Sequence, residues 1–461
     1  SFIYLYASME FAQLSQFCSF ITQYQLKCIA NRTLIFVIII HLYYIWQPSR
    51  IRARPPKGHA RSKARIHGGN AEVMRGREVF DMKLTVGLSD ALRITRALRA
   101  QRVDLHSLPH GELQAPDPSP AKRWSAQAIN CDALLLSEPP SPGEPVEVIV
   151  SRFCKAPRTK LLHASTLRDW LLPQNSFIRV DDEIWIPRPE MLFAQMGSLL
   201  SPIEHLALAL ELCGTYTLDA HDPNRGASTF DIAPATSEEE IRAFLASYPQ
   251  AHIWGMQQAR SLAPLITDNS WSPMETSVAT VLSIPVTNQG YGLGPLVLNK
   301  RFAGGTAFVG ARTSRVPDIL FAGTHVGFNY DSSDHLPIDT IAHAGLNLGL
   351  NPGSRARERE LDRATRDARH KFVDDRRRDR ELMAAGLQVI SVTSEDLYEP
   401  GGMDALVRWA MDRIEAEGAR NLLAQRDALT HQDLARTRQL LLWSLLPGRR
   451  GDMARGELER R

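Results

Sequence analysis

Apolar and polar positions follow two different periods along this chain, and the switches between them mark out its elements. Leu88 to Gln101 carries a helical spacing. Proline then interrupts the pattern at Pro118, Pro120, Pro139, Pro140 and Pro142, which predicts mostly loop over 109–145. A compact domain is expected to begin near Cys131. Val146–Val150 and Lys160–Ala164 read as strands, and Ser176–Ile186 as a strand or a hairpin turned at Asp181 and Asp182. Ser201, Pro202 and Glu204 form a capping-box start for a helix running to about Cys213. Thr236 to Glu239 opens another helix, with Ile241, Phe244 and Leu245 on one face. His163 and His205 each lie alone among apolar residues, where a satisfied or half-buried histidine is the expected reading.

The second half changes character. Ser272 is placed to cap a helix through about Ser283, with Pro273 at its first position and Glu275 as the capping acid. Extended segments follow at Leu296–Phe302, Thr306–Val309, Val316–Phe321 and His325–Asp331. Residues 355–385 predict one long charged helix with 11 Lys or Arg and 8 Asp or Glu, mostly a solvated face laced with ion pairs one turn apart. It stops at Gly386, and Leu387–Thr393 has the apolar run of a buried strand. Helix, strands, helix, strand, helix is the order of an α/β sandwich.

The first 82 residues fit neither half. Residues 33–46 form an apolar run of 14 residues, short of the roughly 20 that span a bilayer. Arg50, Arg52, Arg54, Lys57, Arg61, Lys63 and Arg65 follow it, whereas a signal peptide places its basic residues first. One reading is a membrane anchor with a cytoplasmic basic flank. The other, favoured by the abrupt change in composition and the Ser at position 1, is translation from Met74 or Met82, leaving this extension outside the natural protein. For residues 50–65 alone, a basic tail that touches nucleic acid is a third reading.

With 461 residues the chain has room for two or three domains. The expected division is 1–82 as an atypical extension, 83–130 as helix and Pro-rich linker, 131–269 as a smaller α+β domain, 270–399 as the α/β domain, and 400–461 as a helical tail. The net charge is only +3, so any nucleic-acid surface must be local. Cys18, Cys28, Cys131, Cys154 and Cys213 include no CxxC pair and no zinc spacing, which argues against a disulfide framework or a zinc ribbon and suits a reducing cytoplasm.

Candidate chemistry gathers in the second half. Asn329 and Asp331 alternate on one strand and so share a face of its pleat, which Asp318 on the neighbouring strand can reach. Oxygen ligands converging there would suit Mg²⁺, an ion able to orient water and stabilise charge on a phosphodiester. Other chemistries lack their signatures. There is no GxxxxGK[ST] loop, no HExxH and no GxSxG elbow, and Gly290 to Gly294 precedes a strand and reads as a turn.

The stretch from Ser272 to Leu397 resembles the endonuclease-like domain related to very-short-patch-repair endonucleases, within the PD-(D/E)xK superfamily. The resemblance is carried by Ser272–Thr276, Pro317-Asp318, Asn329-Tyr330-Asp331-Ser332, His335, and Arg377–Leu382 with Gly386 and Val389. Residues 131–216, through Pro189–Met196 and Leu210–Tyr216, are similar to actinobacterial proteins that carry such a C-terminal domain; the N-terminal half of related proteins sometimes resembles an abortive-infection antitoxin. The resemblance implies a restriction-endonuclease-like mixed-sheet core, DNA as partner, Mg²⁺ as cofactor and no small-molecule cofactor. It makes Asp318 the expected metal ligand. Asp331 becomes a second acid, or takes the place where relatives use Lys. Glu275 becomes the helix acid that holds metal or water, and His335 a group that polarises water or contacts phosphate. Asn329 stands where the family has Glu. An amide keeps a ligand oxygen but gives up a charge and cannot act as a base. Two functions are therefore expected to compete: a Mg²⁺-dependent DNA endonuclease of defence or repair type, impaired at Asn329, and a non-catalytic nucleic-acid-binding or antitoxin-like regulatory protein on the same scaffold.

Overall fold

Two sheets, each with its own apolar core, organise the chain in the computed structural model, which describes residues 83–109, 124–125, 129–167, 172–248, 254–303, 314–331, 338–350 and 353–461. The apolar run 33–46, the strand expected at 306–309, and His335 lie outside the described residues.

The first sheet is built from β1 (Leu84–Val86), β2 (Val146–Val150), β3 (Leu162–Thr166), β4 (Phe177–Arg179) and β5 (Ile184–Pro187), in the order β3-β2-β1-β5-β4. β1 runs antiparallel to β2 and parallel to β5. The hairpin expected around Asp181 is present: β4 and β5 pair antiparallel, and the Asp181 carboxylate accepts the backbone N–H groups of Glu183 and Ile184. Helices α1 (Leu88–Ala100) and α2 (Pro189–Met196) pack on this sheet. The segment expected to be helix and linker thus supplies the central strand, because Leu84 and Val86 are fully buried between β2 and β5.

Helix α3 (Pro202–Leu212) begins at the predicted capping box, Ser201 with Glu204. It is apolar nearly all round, so it is buried on several sides. Leu206, Leu208, Ala209 and Leu212 belong to the first core and Leu210 to the second. His205 is a satisfied core histidine, as expected: one ring nitrogen lies 2.7 Å from the Phe193 carbonyl, the ring stacks on Phe193, and burial pushes its pKa down to about 4. His163 is instead exposed and paired with Glu147 across β2 and β3. A short ribbon, β6 (Tyr216–Thr217) with β7 (Thr229–Phe230), leads into α4 (Glu238–Ser247) and α5 (Met256–Leu262). The cap of α4 is Ser237, one residue beyond the predicted start, and Ile241, Phe244 and Leu245 are its buried face.

The second core follows the predicted order. Ser272 caps α6 (Pro273–Ser283). Next come β8 (Leu296–Leu298), the pair β9 (Phe302–Ala303) and β10 (Ser314–Arg315), then β11 (Ile319–Phe321) and β12 (Val326–Asp331). Helices α7 (Ile338–Leu350) and α8 (Arg355–Ala384) cross over to β13 (Gln388–Thr393). The sheet order is β13-β12-β11-β8, with β12 parallel to β13 and β11 antiparallel to both β12 and β8. At Gly327 a Cβ would lie 2.3 Å from the Ile319 carbonyl oxygen, so the close approach of β12 to β11 requires glycine there.

After α9 (Ser394–Tyr398) come α10 (Gly402–Ala416), α11 (Leu423–Thr430), α12 (Gln432–Leu445) and α13 (Arg449–Leu458). Ile319, Phe321 and Phe328 face α6 and α10, whereas Leu320 packs with Leu382 and Leu387 on the α8 side. The segment 400–461, read as a tail, is part of this core through Met403, Val407, Met411, Ile414 and Leu442. The chain is therefore a mixed α/β protein, and among the described residues no helix is long and apolar enough to cross a membrane.

Candidate metal and phosphate site

The N-terminus of α6, the approach to β11 and the middle of β12 meet at one end of the second sheet. Their side chains open onto a cavity of about 850 Å³ lined also by residues of α1 and α3, among them Arg96 and Glu211.

Glu275 is the first acid of α6. Its backbone N–H donates to the cap Ser272 Oγ at 3.2 Å, as a capping residue's should. Its carboxylate does more than cap: Oε2 accepts the Trp271 N–H at 3.0 Å and the Asn299 side-chain amide at 2.8 Å, and Oε1 accepts from Ser272 Oγ. Burial nevertheless raises its pKa above the usual carboxylate value, against the pull of these hydrogen bonds.

Asp318 precedes β11. Its Oδ2 accepts the Tyr330 N–H at 2.7 Å. Burial, and then the Glu275 carboxylate beside it, push its pKa up to about 7; the Tyr330 hydrogen bond and the Arg378 guanidinium act in the opposite direction. Two carboxyl groups that resist ionising together on a cavity wall form a site that a cation would relieve.

The face predicted to gather the ligands is divided. Asp318 and Tyr330 line the cavity, but Asn329 and Asp331 do not. Asn329 is buried, and its Oδ1 accepts the Asp318 N–H at 3.1 Å, so the oxygen expected to serve a metal is occupied by backbone. Its Nδ2 has no partner. Asp331 is held at 3.0 Å by Arg378 of α8, a half-buried pair. The pleat explains the division: with Phe328 turned into the α6–α10 core, Asn329 and Asp331 alternate to the opposite side, toward α8. Among the described residues no group of three or more acidic, histidine or cysteine side chains is arranged to hold an ion.

Arg378 was not singled out by sequence reasoning, although it lies within the Arg377–Leu382 stretch. Nothing distinguishes it from the other basic residues of α8 until the helix is docked. Docking also buries Arg315 against Glu381 and Asp374, which seats α8 on β10. The cavity wall supplied by α1 and α3 had no sequence signal either. Comparison with protein-family models, with curated proteins and with solved structures finds no match for this chain.

Proposed function

We propose that residues 273–393 form a restriction-endonuclease-like domain that hydrolyses DNA phosphodiesters with the help of Mg²⁺, and that its catalysis is weak. The observation that carries this reading is the pairing of Asp318, with its pKa near 7, and the buried Glu275 on the wall of one cavity. The order helix, three strands, helix, parallel strand supports the fold assignment, and Pro317-Asp318 at the start of β11 supports the family resemblance.

Mg²⁺ is commonly held by one or two carboxylates, its remaining positions being filled by water and substrate phosphate. Glu275 and Asp318 fit that requirement and would hold the ion. When bound, it would supply Lewis-acid stabilisation of a phosphoryl oxygen and an acidified water. The protein's own groups do the remaining work. Asn329 anchors the Asp318 backbone to β12, and Tyr330 orients the carboxylate through its N–H. Arg378 brings a guanidinium to the same cavity, where a phosphate competes with Asp331 for it. Among the described residues of β12 neither Asn329 nor Asp331 is free to act as a general base: the amide of Asn329 cannot take a proton, and Asp331 is engaged by Arg378. That shortage is the physical reason for weak turnover. It also favours a second reading, in which the same site binds nucleic acid and metal without cutting.

The deciding experiment is cleavage of plasmid and oligonucleotide DNA with Mg²⁺ or Mn²⁺ and with EDTA, beside Asp318→Ala. Metal-dependent cutting lost in the variant establishes the nuclease. Salt-sensitive DNA binding without cutting in either protein establishes the binding module.

A further inference from the structure

We propose that the cavity seats an unpaired nucleotide, so that the preferred substrate is single-stranded DNA or a frayed end and not an intact duplex. The identity of the ligand rests on the phosphodiesterase reading above. A volume of about 850 Å³ lies in the range of sites that enclose a small molecule, roughly 300–1,000 Å³. It suits one or two nucleotides. Residues of α1, α3, the β6–β7 ribbon, α6, α12 and α13 line it. In a duplex the bases are stacked inside, so only a nucleotide that has left the stack can lay its base against the cavity wall while its phosphodiester lies near Asp318.

Two aromatic side chains on this wall are exposed: Trp271 at 39% and Phe230 at 47%. The Trp271 ring is held in place by its Nε1–H, which donates to Asn269 Oδ1 at 2.8 Å. Its backbone N–H donates to the same Glu275 oxygen that Asn299 holds. Trp271 and the Glu275 carboxylate are thus one hydrogen-bonded unit. Exposed, oriented rings beside cationic groups are the means by which proteins hold unstacked bases without regard to sequence. The cations are present: Arg225 and Arg455, both on Asp452, line the cavity together with Arg378.

The test uses the full chain in Ca²⁺, with a short mixed-sequence single strand and a blunt hairpin duplex of the same sequence, each end-labelled and followed by fluorescence anisotropy. The single strand is expected to bind about tenfold more tightly or better, and Trp271→Ala to remove about tenfold of that affinity while leaving the hairpin within about twofold. Trp271→Phe, which keeps a stacking face, is expected to retain most of it, and Phe230→Ala probes the other aromatic without touching the Glu275 network. Equal affinity for the two DNAs, or equal losses on both with Trp271→Ala, overturns the proposal. These readings do not depend on turnover. Single-strand preference without metal-dependent cleavage sinks the nuclease and leaves the nucleotide site standing; efficient cutting of the hairpin, with no preference for the single strand, does the reverse.

Discussion

Asn329 holds Asp318 by its backbone: the amide oxygen accepts the Asp318 N–H at 3.1 Å, while the amide nitrogen is buried without a partner. A carboxylate of the same shape would keep the first contact and place a charged oxygen where the nitrogen is stranded. Asn329→Asp is therefore expected to destabilise the metal-free protein by about 3–5 kcal/mol, the cost of an uncompensated buried charge. Its affinity for Mg²⁺ or Mn²⁺ should change little, because Asn329 lies off the cavity wall. Urea unfolding with and without the metal reads both effects; a variant whose lost stability the metal restores would place position 329 within the ion's reach.

Asp318 makes stability depend on pH in a predictable sense. Its folded pKa, about 7, lies above the ordinary carboxyl value of 3.8, so the folded state binds the proton more tightly than the unfolded chain. Its ionisation costs nothing below about pH 4, and the penalty grows until it is complete above about pH 7. Metal-free protein should lose on the order of 4 kcal/mol between these limits through this group, and Asp318→Asn should flatten that part of the profile. Denaturant midpoints at pH 5 and pH 8 for the two proteins check this; parallel profiles would contradict it.

The same proton competes with the ion. Metal affinity is expected to rise about tenfold per pH unit below 7 and to level off above it. Arg378 stabilises ionised Asp318, so Arg378→Gln should move that midpoint upward. Calorimetric titration with Mn²⁺ across pH 5.5–8.5 would show the displacement, and an unmoved midpoint would remove Arg378 from the site.

Helix α8 carries a stripe of cations, Arg366, Arg369, Lys371 and Arg377, which line one groove together with His370 and Asp374. If DNA phosphates lie along it, replacing all four cations with Gln should reduce the slope of log K against log salt by about 3–4 for duplex and slightly less for single strands. Binding measured from low to moderate salt decides; an unchanged slope leaves the stripe as a solvated face.

Arg315 is almost fully buried against Glu381 and Asp374. Glu381→Ala should cost about 3–5 kcal/mol by leaving the guanidinium short of its nearest partner. Replacing Arg315 and Glu381 together by Met and Leu should recover much of that loss. Thermal unfolding of the single and double variants tests it, and a double variant no better than the single would show that the pair contributes more than its charge balance.

Local signals were sufficient for much of the fold. The capping sequences at Ser201 and Ser272, the hairpin turn at Asp181, the long charged helix ending before Gly386, and the strand ending at Asp331 were all legible, because caps, turns and periodicity are set by residues a few positions apart. Asp318 and Glu275 were legible as acids for the same reason. What only the tertiary structure decided is where each group points and what stands beside it. The central place of Leu84–Val86, the burial of residues 400–461, the capture of Asn329 by the Asp318 backbone and of Asp331 by Arg378 all depend on contacts between residues far apart in the chain. Raised carboxyl pKa values belong to that second class, since burial and a neighbouring charge exist only once the two cores have closed around the cavity.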